Sequence, residues 1–274
     1  MRHIIHAVAV ACLWVSGAAL AVPAGYFHDV TGDVMMTPAG KPAVKVAIGD
    51  LFESGATVNT AANGKATLKF EDGEVVALSP NTDFVITNYA FNKEKPGEGS
   101  VFLKIAKGGM RFVTGLIGKT NPSKFSVQTP TVTAGVRGSE GEIVVAQSAD
   151  GQFSVLVSSS LDTVTVTGPN GTVVLTAGNL SFTPAGSNQP SQPFTAGNAP
   201  PAAQALLNVA AQLLQAVLPS NTPVNATEQG QQRKNETGTP TNQSAAPPPA
   251  AAQAAQSLVT GAGGGGGGTT SPSK

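Results

Sequence analysis

The stretch KFSVQTPTVTAGVRGSEGEIVV, Lys124 to Val145, decides how the chain folds. Phe125 and Val127 alternate with Ser126 and Gln128, the two-residue period of a strand with one dry face. Pro130 has no N–H to give to a ladder, so this strand ends, turns or lies at an edge near Thr129. Val136-Arg137-Gly138-Ser139 then sets a lone guanidinium beside a backbone-permissive glycine, between two apolar runs. A guanidinium stays charged and carries five donors in a rigid fork, which suits it to tying loop carbonyls or a carboxylate together. Candidate carboxylates follow at Glu140 and Glu142. The expectation is architectural: Arg137 pins a corner where the sheet changes direction. A buried clamp of that kind predicts a cost on the order of 3 kcal/mol or more for Arg137→Ala. The competing reading makes Arg137 an anion or partner contact.

Outward from this stretch, Val22 to Thr183 is a succession of short strands and turn signals. Ala66, Leu68 and Phe70 alternate with Lys65, Thr67 and Lys69, one face dry and one wet. Asp72-Gly73 separates that strand from Val75-Val76-Ala77-Leu78, a hairpin signal because both central turn positions favour positive φ. Asp150-Gly151 and Asn170-Gly171 repeat the device before Phe153 to Val157 and Val173 to Leu175. Val101 to Ile105, Met110 to Thr114 and Val164 to Val166 supply further strands, and no amphipathic helix is expected among them. Many short strands at close spacing predict an all-β sandwich, barrel or β-roll.

These residues carry a resemblance. FSVQTPTVTAGVRGSEG resembles the signature of the FecR domain family, a TPTA segment followed by I-x-VRGT or IRGT. GDLFESGATVNTAANGKATLKFEDGEVVALSPNT resembles the family's GD-x-(I/L)-x-TG and FxDGS-x-L-x-pN(S/T) blocks, and KGGMRFVTGLIGK resembles its KGG(L/M)R-x-VTGLIG block. The matches run from Gly49 to Gly178 in the expected order. Two positions depart: Ser139 stands where threonine is usual and keeps the hydroxyl, and Gly141 stands where an aromatic is common. The resemblance marks Thr129, Pro130, Val136, Arg137, Gly138, Ser139 and Glu140 as the motif. It also implies an elongated β-roll or solenoid-like structure in preference to a closed barrel, with a sandwich of short strands still open.

Around this β domain, expected over 22–187, the chain changes character. Residues 1–21 read as a secretory signal peptide, with Arg2 before an apolar core from Ile4 to Val15 and a small-x-small site at Ala19-Leu20-Ala21. Cys12 lies too early in that core for a lipoprotein cysteine, and cleavage after Ala21 leaves neither a disulfide framework nor a thiol nucleophile. Nothing later reads as a membrane span, so a periplasmic or secreted location is expected. Residues 188–199 read as a linker and 200–219 as an amphipathic helix. There Leu206, Leu207, Ala210, Leu213, Leu214, Val217 and Leu218 form one stripe opposite Gln204, Asn208, Gln212 and Gln215. Pro200-Pro201 suit its start and Pro219 its stop. The bland reading has the helix cover a sheet edge or face of its own domain. The other has Leu206, Leu213 and Leu214 meet a partner. Residues 220–274, rich in Ala, Gln, Pro and Gly, bury too little apolar area to offset ordering entropy and are expected to be disordered.

Candidate chemistry is thin. A formal charge of zero with 12% charged residues excludes a strongly basic nucleic-acid surface. His28 is the one histidine beyond residue 21, and no glycine elbow accompanies any serine. One histidine and scattered carboxylates do not make a metal site. Glu140 and Glu142 share a strand face and could in principle do acid–base work, but an arginine partner explains them more simply. Lys107-Gly108-Gly109 lacks the Walker ending and reads as a tight turn; Asp50 and Asp72 read as turn acids. Tyr89 and Phe91 stand at the base of the long polar loop NKEKPGEGS, a place for a ligand to touch. No enzyme activity and no cofactor are expected. The resemblance implies a non-catalytic envelope sensor, scaffold or interaction module with an envelope protein partner. Recognition of cell-wall or surface polysaccharide is the alternative, disfavoured by few aromatics.

Overall fold

The structure, a computed structural model, describes residues 22–216, without the side chains of Ser139 and residues 214–216. The leader and tail expectations, and those on Leu214, Val217 and Leu218, therefore lie outside the described residues.

The chain builds β1 (Pro23–Thr31), β2 (Val34–Thr37), β3 (Val44–Lys45), β4 (Leu51–Glu53), β5 (Thr57–Thr60), β6 (Lys65–Phe70), β7 (Val75–Leu78), β8 (Asp83–Ala90) and β9 (Ser100–Val113). A short helix α1 (Leu116–Thr120) comes next. Then follow β10 (Phe125–Gln128), β11 (Thr133–Gln147), β12 (Phe153–Ser158), β13 (Leu161–Gly168), β14 (Gly171–Leu175), β15 (Leu180–Thr183) and α2 (Gln204–Ala216). All 15 strands belong to one hydrogen-bonded sheet. The all-β class and the amphipathic helix are as the sequence predicts.

Two long strands organise this sheet into layers. The first half of β9 pairs with β8 and, in parallel, with β10, while its second half pairs with β7 and β11. The first half of β11 pairs with β10 and β13, its second half with β12 and β9. One layer thus runs β4-β1-β6-β7-β9-β11-β12-β15, the other β3-β2-β5-β8-β9-β10-β11-β13-β14. Their inner faces share one core: Phe27, Leu68 and Phe112 from the first meet Phe84, Leu103 and Val127 from the second in a single buried cluster.

The switch of partners needs a bend in each long strand, and glycine supplies it. Gly108 has φ +90°, where a Cβ would fall 2.3 Å from Thr82 Oγ1, beside the register shift at Asp83. Gly138 has φ +59°, inside the register shift between Arg137 and Glu140. Left-handed φ costs glycine least, and a bulge bends the strand that carries it. The expected tight turn at Lys107-Gly108-Gly109 is therefore corrected. Val101 to Ile105 and Met110 onward are one strand, bent at the glycine rather than reversed. The expected corner at Val136-Arg137-Gly138 is present. A second correction is α1, which the β pattern hid: five residues are too few to show a helical period.

α2 lies on the outer face of the first layer. Ala203, Leu206, Ala210 and Leu213 pack with Val144, Leu156, Leu180 and Phe182 in a second buried cluster. Leu206 and Leu213, offered to a partner on one reading of the sequence, are instead core residues at 6% and 2% exposure. Residues 188–199 are not a free linker. Phe194 and Leu180 exchange backbone hydrogen bonds, and Ser191 N–H donates to Phe182 O at 2.9 Å, so the chain returns along β15 before the helix.

Candidate functional site

The motif strand ends as its sequence requires. Thr129 Oγ1 donates to Val132 O at 2.8 Å and accepts from Val132 N at 3.0 Å and Thr131 N at 3.4 Å, which ties the β10–β11 turn through one buried hydroxyl. Pro130, which needs no donor, is exposed at the turn, and Val136 is buried in the core.

Arg137 is not the clamp. Its side chain is exposed, and none of the ion pairs among the described residues includes it. The corner turns on the positive φ of Gly138, and alternation along β11 sends Arg137 outward between buried Val136 and the bend. The guanidinium that holds Glu140 and Glu142 belongs to Arg111 on β9. Strand register explains this: Glu142 stands opposite Arg111, and Glu140 one pair further along the same face. Arg111 Nη2 donates to Glu140 Oε2 at 2.6 Å, and Arg111 Nη1 donates to Glu142 Oε1. Ser158 Oγ donates to the other Glu142 oxygen, and Ser160 Oγ lies 3.4 Å from both. Glu142 is 3% exposed. Arg111 Nε is buried without a hydrogen-bond partner, so the fork is spent on its two terminal nitrogens. Gly141, between the two acids, stands opposite Phe112, and a Cβ there would fall 2.2 Å from Ser158 O. The ring of Phe112 fills the space.

A cleft of about 560 Å³ opens where the start of β1 and the β6–β7 turn meet the end of β8. Tyr89 and Phe91 line it together with Val22, Pro23, Glu71 and Lys93. Both aromatics are half-buried and pack on the main core, and Lys93 pairs with Glu71 at 4.0 Å in solvent. The Tyr89 hydroxyl points inward. It accepts from Asp72 N at 2.8 Å and donates to Asp72 Oδ1 at 3.3 Å. Burial, then the charge of Asp72, pushes the phenol well above its ordinary range.

Asp72 is more than a turn acid. Its carboxylate also accepts from Glu74 N at 3.1 Å and from Ile117 N at 3.2 Å, and its carbonyl accepts from Leu116 N at 2.9 Å. The β6–β7 turn is thereby seated on the start of α1. Glu74, two residues on, is fully buried with both carboxyl oxygens unpartnered. Burial, and secondarily the charge of Asp72, holds its carboxyl well above the usual range. Asp50 does act as a turn acid, accepting from Ala47 N at 2.8 Å. His28 is exposed on β1, its ring 6.3 Å from that of Tyr26.

The residues that sequence reasoning missed are Arg111, Asp72 and Glu74. Nothing local marks Arg111, because Glu142 lies 31 positions further along the chain. Nothing local distinguishes Glu74 from a solvated acid. Among the described residues, no group of three or more His, Cys, Asp or Glu side chains is placed to hold a metal ion, and no helix is long and apolar enough to cross a membrane.

Residues 56–161 match the family model described as FecR protein. No curated protein matches the chain. Among solved structures, two crystal structures of a "putative anti-sigma factor" from Parabacteroides distasonis ATCC 8503 are similar at 16% identity, with TM-scores of 0.38 and 0.39. Each likeness covers 50% of this chain and 57% of the other, so the chain spans little more than half the length of those structures.

Proposed function

Residues 56–161 match the FecR protein model, and from that premise we propose that the chain is a non-catalytic signalling or sensor module of the bacterial envelope, working through contact with a protein partner. The match over residues 56–161 carries this reading, because it spans the motif turn, the bent strands and the Tyr89 to Lys93 side of the aromatic cleft. The geometry supports it. Glu140 and Glu142, the carboxylates best spaced for acid–base work, are both engaged by Arg111 within the sheet. The cleft beside Tyr89 and Phe91 is the proposed contact, with Lys93 and Glu71 as the charged pair on its rim.

Export through residues 1–21 into the periplasm or beyond belongs to the same proposal, resting on the apolar core between Arg2 and Ala19-Leu20-Ala21. Cell fractionation with N-terminal sequencing tests it: a mature chain starting at Val22 outside the cytoplasm is expected. For the contact, the full chain and a Phe91→Ala, Lys93→Glu double variant are compared in co-purification from envelope extract. A saturable protein partner lost in the variant, with unfolding unchanged, is the expected result. Saturable sedimentation with purified peptidoglycan and no protein partner would instead favour polysaccharide recognition.

A further inference from the structure

Glu74 has no part in the reading above, and its surroundings are unusual. Its side chain is fully buried, yet neither oxygen has a hydrogen-bond partner. A buried ionised carboxylate without a partner is among the costliest arrangements in a protein, so such a group gives up its charge. The groups that act on it do not offer a countercharge. They are Asp72 in its own turn and Tyr89 on β8; the segment from Thr114 to Ile117 packs there with no titratable side chain. Lys93, on the rim of the adjoining cleft, is exposed and paired with Glu71.

The turn carrying Glu74 is also a joint between elements. Asp72 accepts from Leu116 N and Ile117 N of α1 and from the Tyr89 hydroxyl of β8, and donates its own N–H back to that hydroxyl. The fit is close: a Cβ on Gly115 would lie 2.4 Å from Asp72 Oδ2 and 2.5 Å from Glu74 N. Nothing in so tight a seat can rearrange to solvate a charge while the turn stays down.

We infer that Glu74 is a proton-operated latch: as a neutral acid it lets the β6–β7 turn sit on α1 and on Tyr89, and its ionisation lifts the turn away. Because the same Tyr89 lines the aromatic cleft, lifting the turn loosens one wall of that cleft. Occupancy of the cleft and protonation of Glu74 are then linked, each favouring the other. The direction follows from the opened state, where Glu74 meets water and titrates near its ordinary value of 4.5. Below that pH both states hold the proton and opening is indifferent to pH. Above it the opened state sheds one proton that the seated state retains, so opening grows roughly tenfold per pH unit. The growth stops where the seated carboxyl itself ionises.

Hydrogen exchange of the full chain between pH 5 and 8.5 tests this, read at the amides of Glu74, Leu116 and Ile117 and corrected for intrinsic exchange rates. The opening constant is expected to climb with pH in the unaltered protein and to stay flat in Glu74→Gln, which keeps the shape without the charge. Equal slopes in the two proteins, or a flat profile in the unaltered one, overturn the latch. Should the variant fail to fold, carboxyl carbon NMR of Glu74 in the unaltered protein decides: no titration through the ordinary carboxylate range is expected, and a normal titration there overturns it.

Discussion

At the scale of single residues, the two arginines of this domain exchange the roles their sequence contexts suggest. Arg111 is 12% exposed and faces Glu142 at 3%. Removing one partner of a buried pair leaves an uncompensated charge and costs about 3–5 kcal/mol, so Arg111→Ala should lower urea-derived stability by that order. Arg137→Ala, an exposed position, should stay within about 0.5 kcal/mol. A large loss at Arg137 with none at Arg111 would reverse the assignment. Thr129→Val is expected to cost about 1–3 kcal/mol, because two turn N–H groups lose their acceptor. The Thr129 turn was legible in the sequence because proline and the hydroxyl act over a few residues. The clamp was not. Arg111 and Glu142 are separated by 31 positions, and only strand register puts them face to face. Glu74 was illegible for a related reason, since its burial comes from α1 and β8 rather than from its own hairpin.

At the scale of elements, α2 covers the outer face of its own domain. Its stripe was readable from three- and four-residue spacing, but spacing cannot say which surface a stripe meets. Leu213→Ala should destabilise the whole domain by about 3 kcal/mol, as a buried leucine truncation does. A leucine that instead served only a partner would leave unfolding unchanged and weaken binding. The hairpins at Asp72-Gly73, Asp150-Gly151 and Asn170-Gly171 fall between β6 and β7, β11 and β12, and β13 and β14, where the sequence placed them, but of these six residues only Gly73 and Gly151 take the positive φ expected of both central positions. Lys107-Gly108-Gly109 failed by the same logic: a glycine at positive φ serves a bulge inside a strand as readily as a reversal between two.

At the scale of the whole molecule, β9 and β11 each belong to both layers, so neither layer can be lost while the other keeps its hydrogen bonds. Unfolding of the described domain should therefore be a single cooperative transition, with calorimetric and van't Hoff enthalpies equal. Two resolved transitions in the scan, one moved by Arg111→Ala and the other not, would show that the layers unfold separately. The layer arrangement was beyond the sequence because short strands with alternating burial fit a sandwich, a roll or a barrel equally. What chooses among them is where the long strands bend, and the bends sit at two glycines among 32.

The return of residues 191–194 along β15 has a further consequence. A terminal strand with open N–H and C=O groups is a template on which another chain can add, and natural sheets blunt such margins. Here Phe194 occupies the free side of Leu180, so the stretch that leads to α2 also guards the last strand against fibre-like growth. A protease cut between Thr183 and Phe194 would uncover that margin together with the apolar floor beneath the helix, making nicking a route to insoluble material even while most of the sheet stays intact.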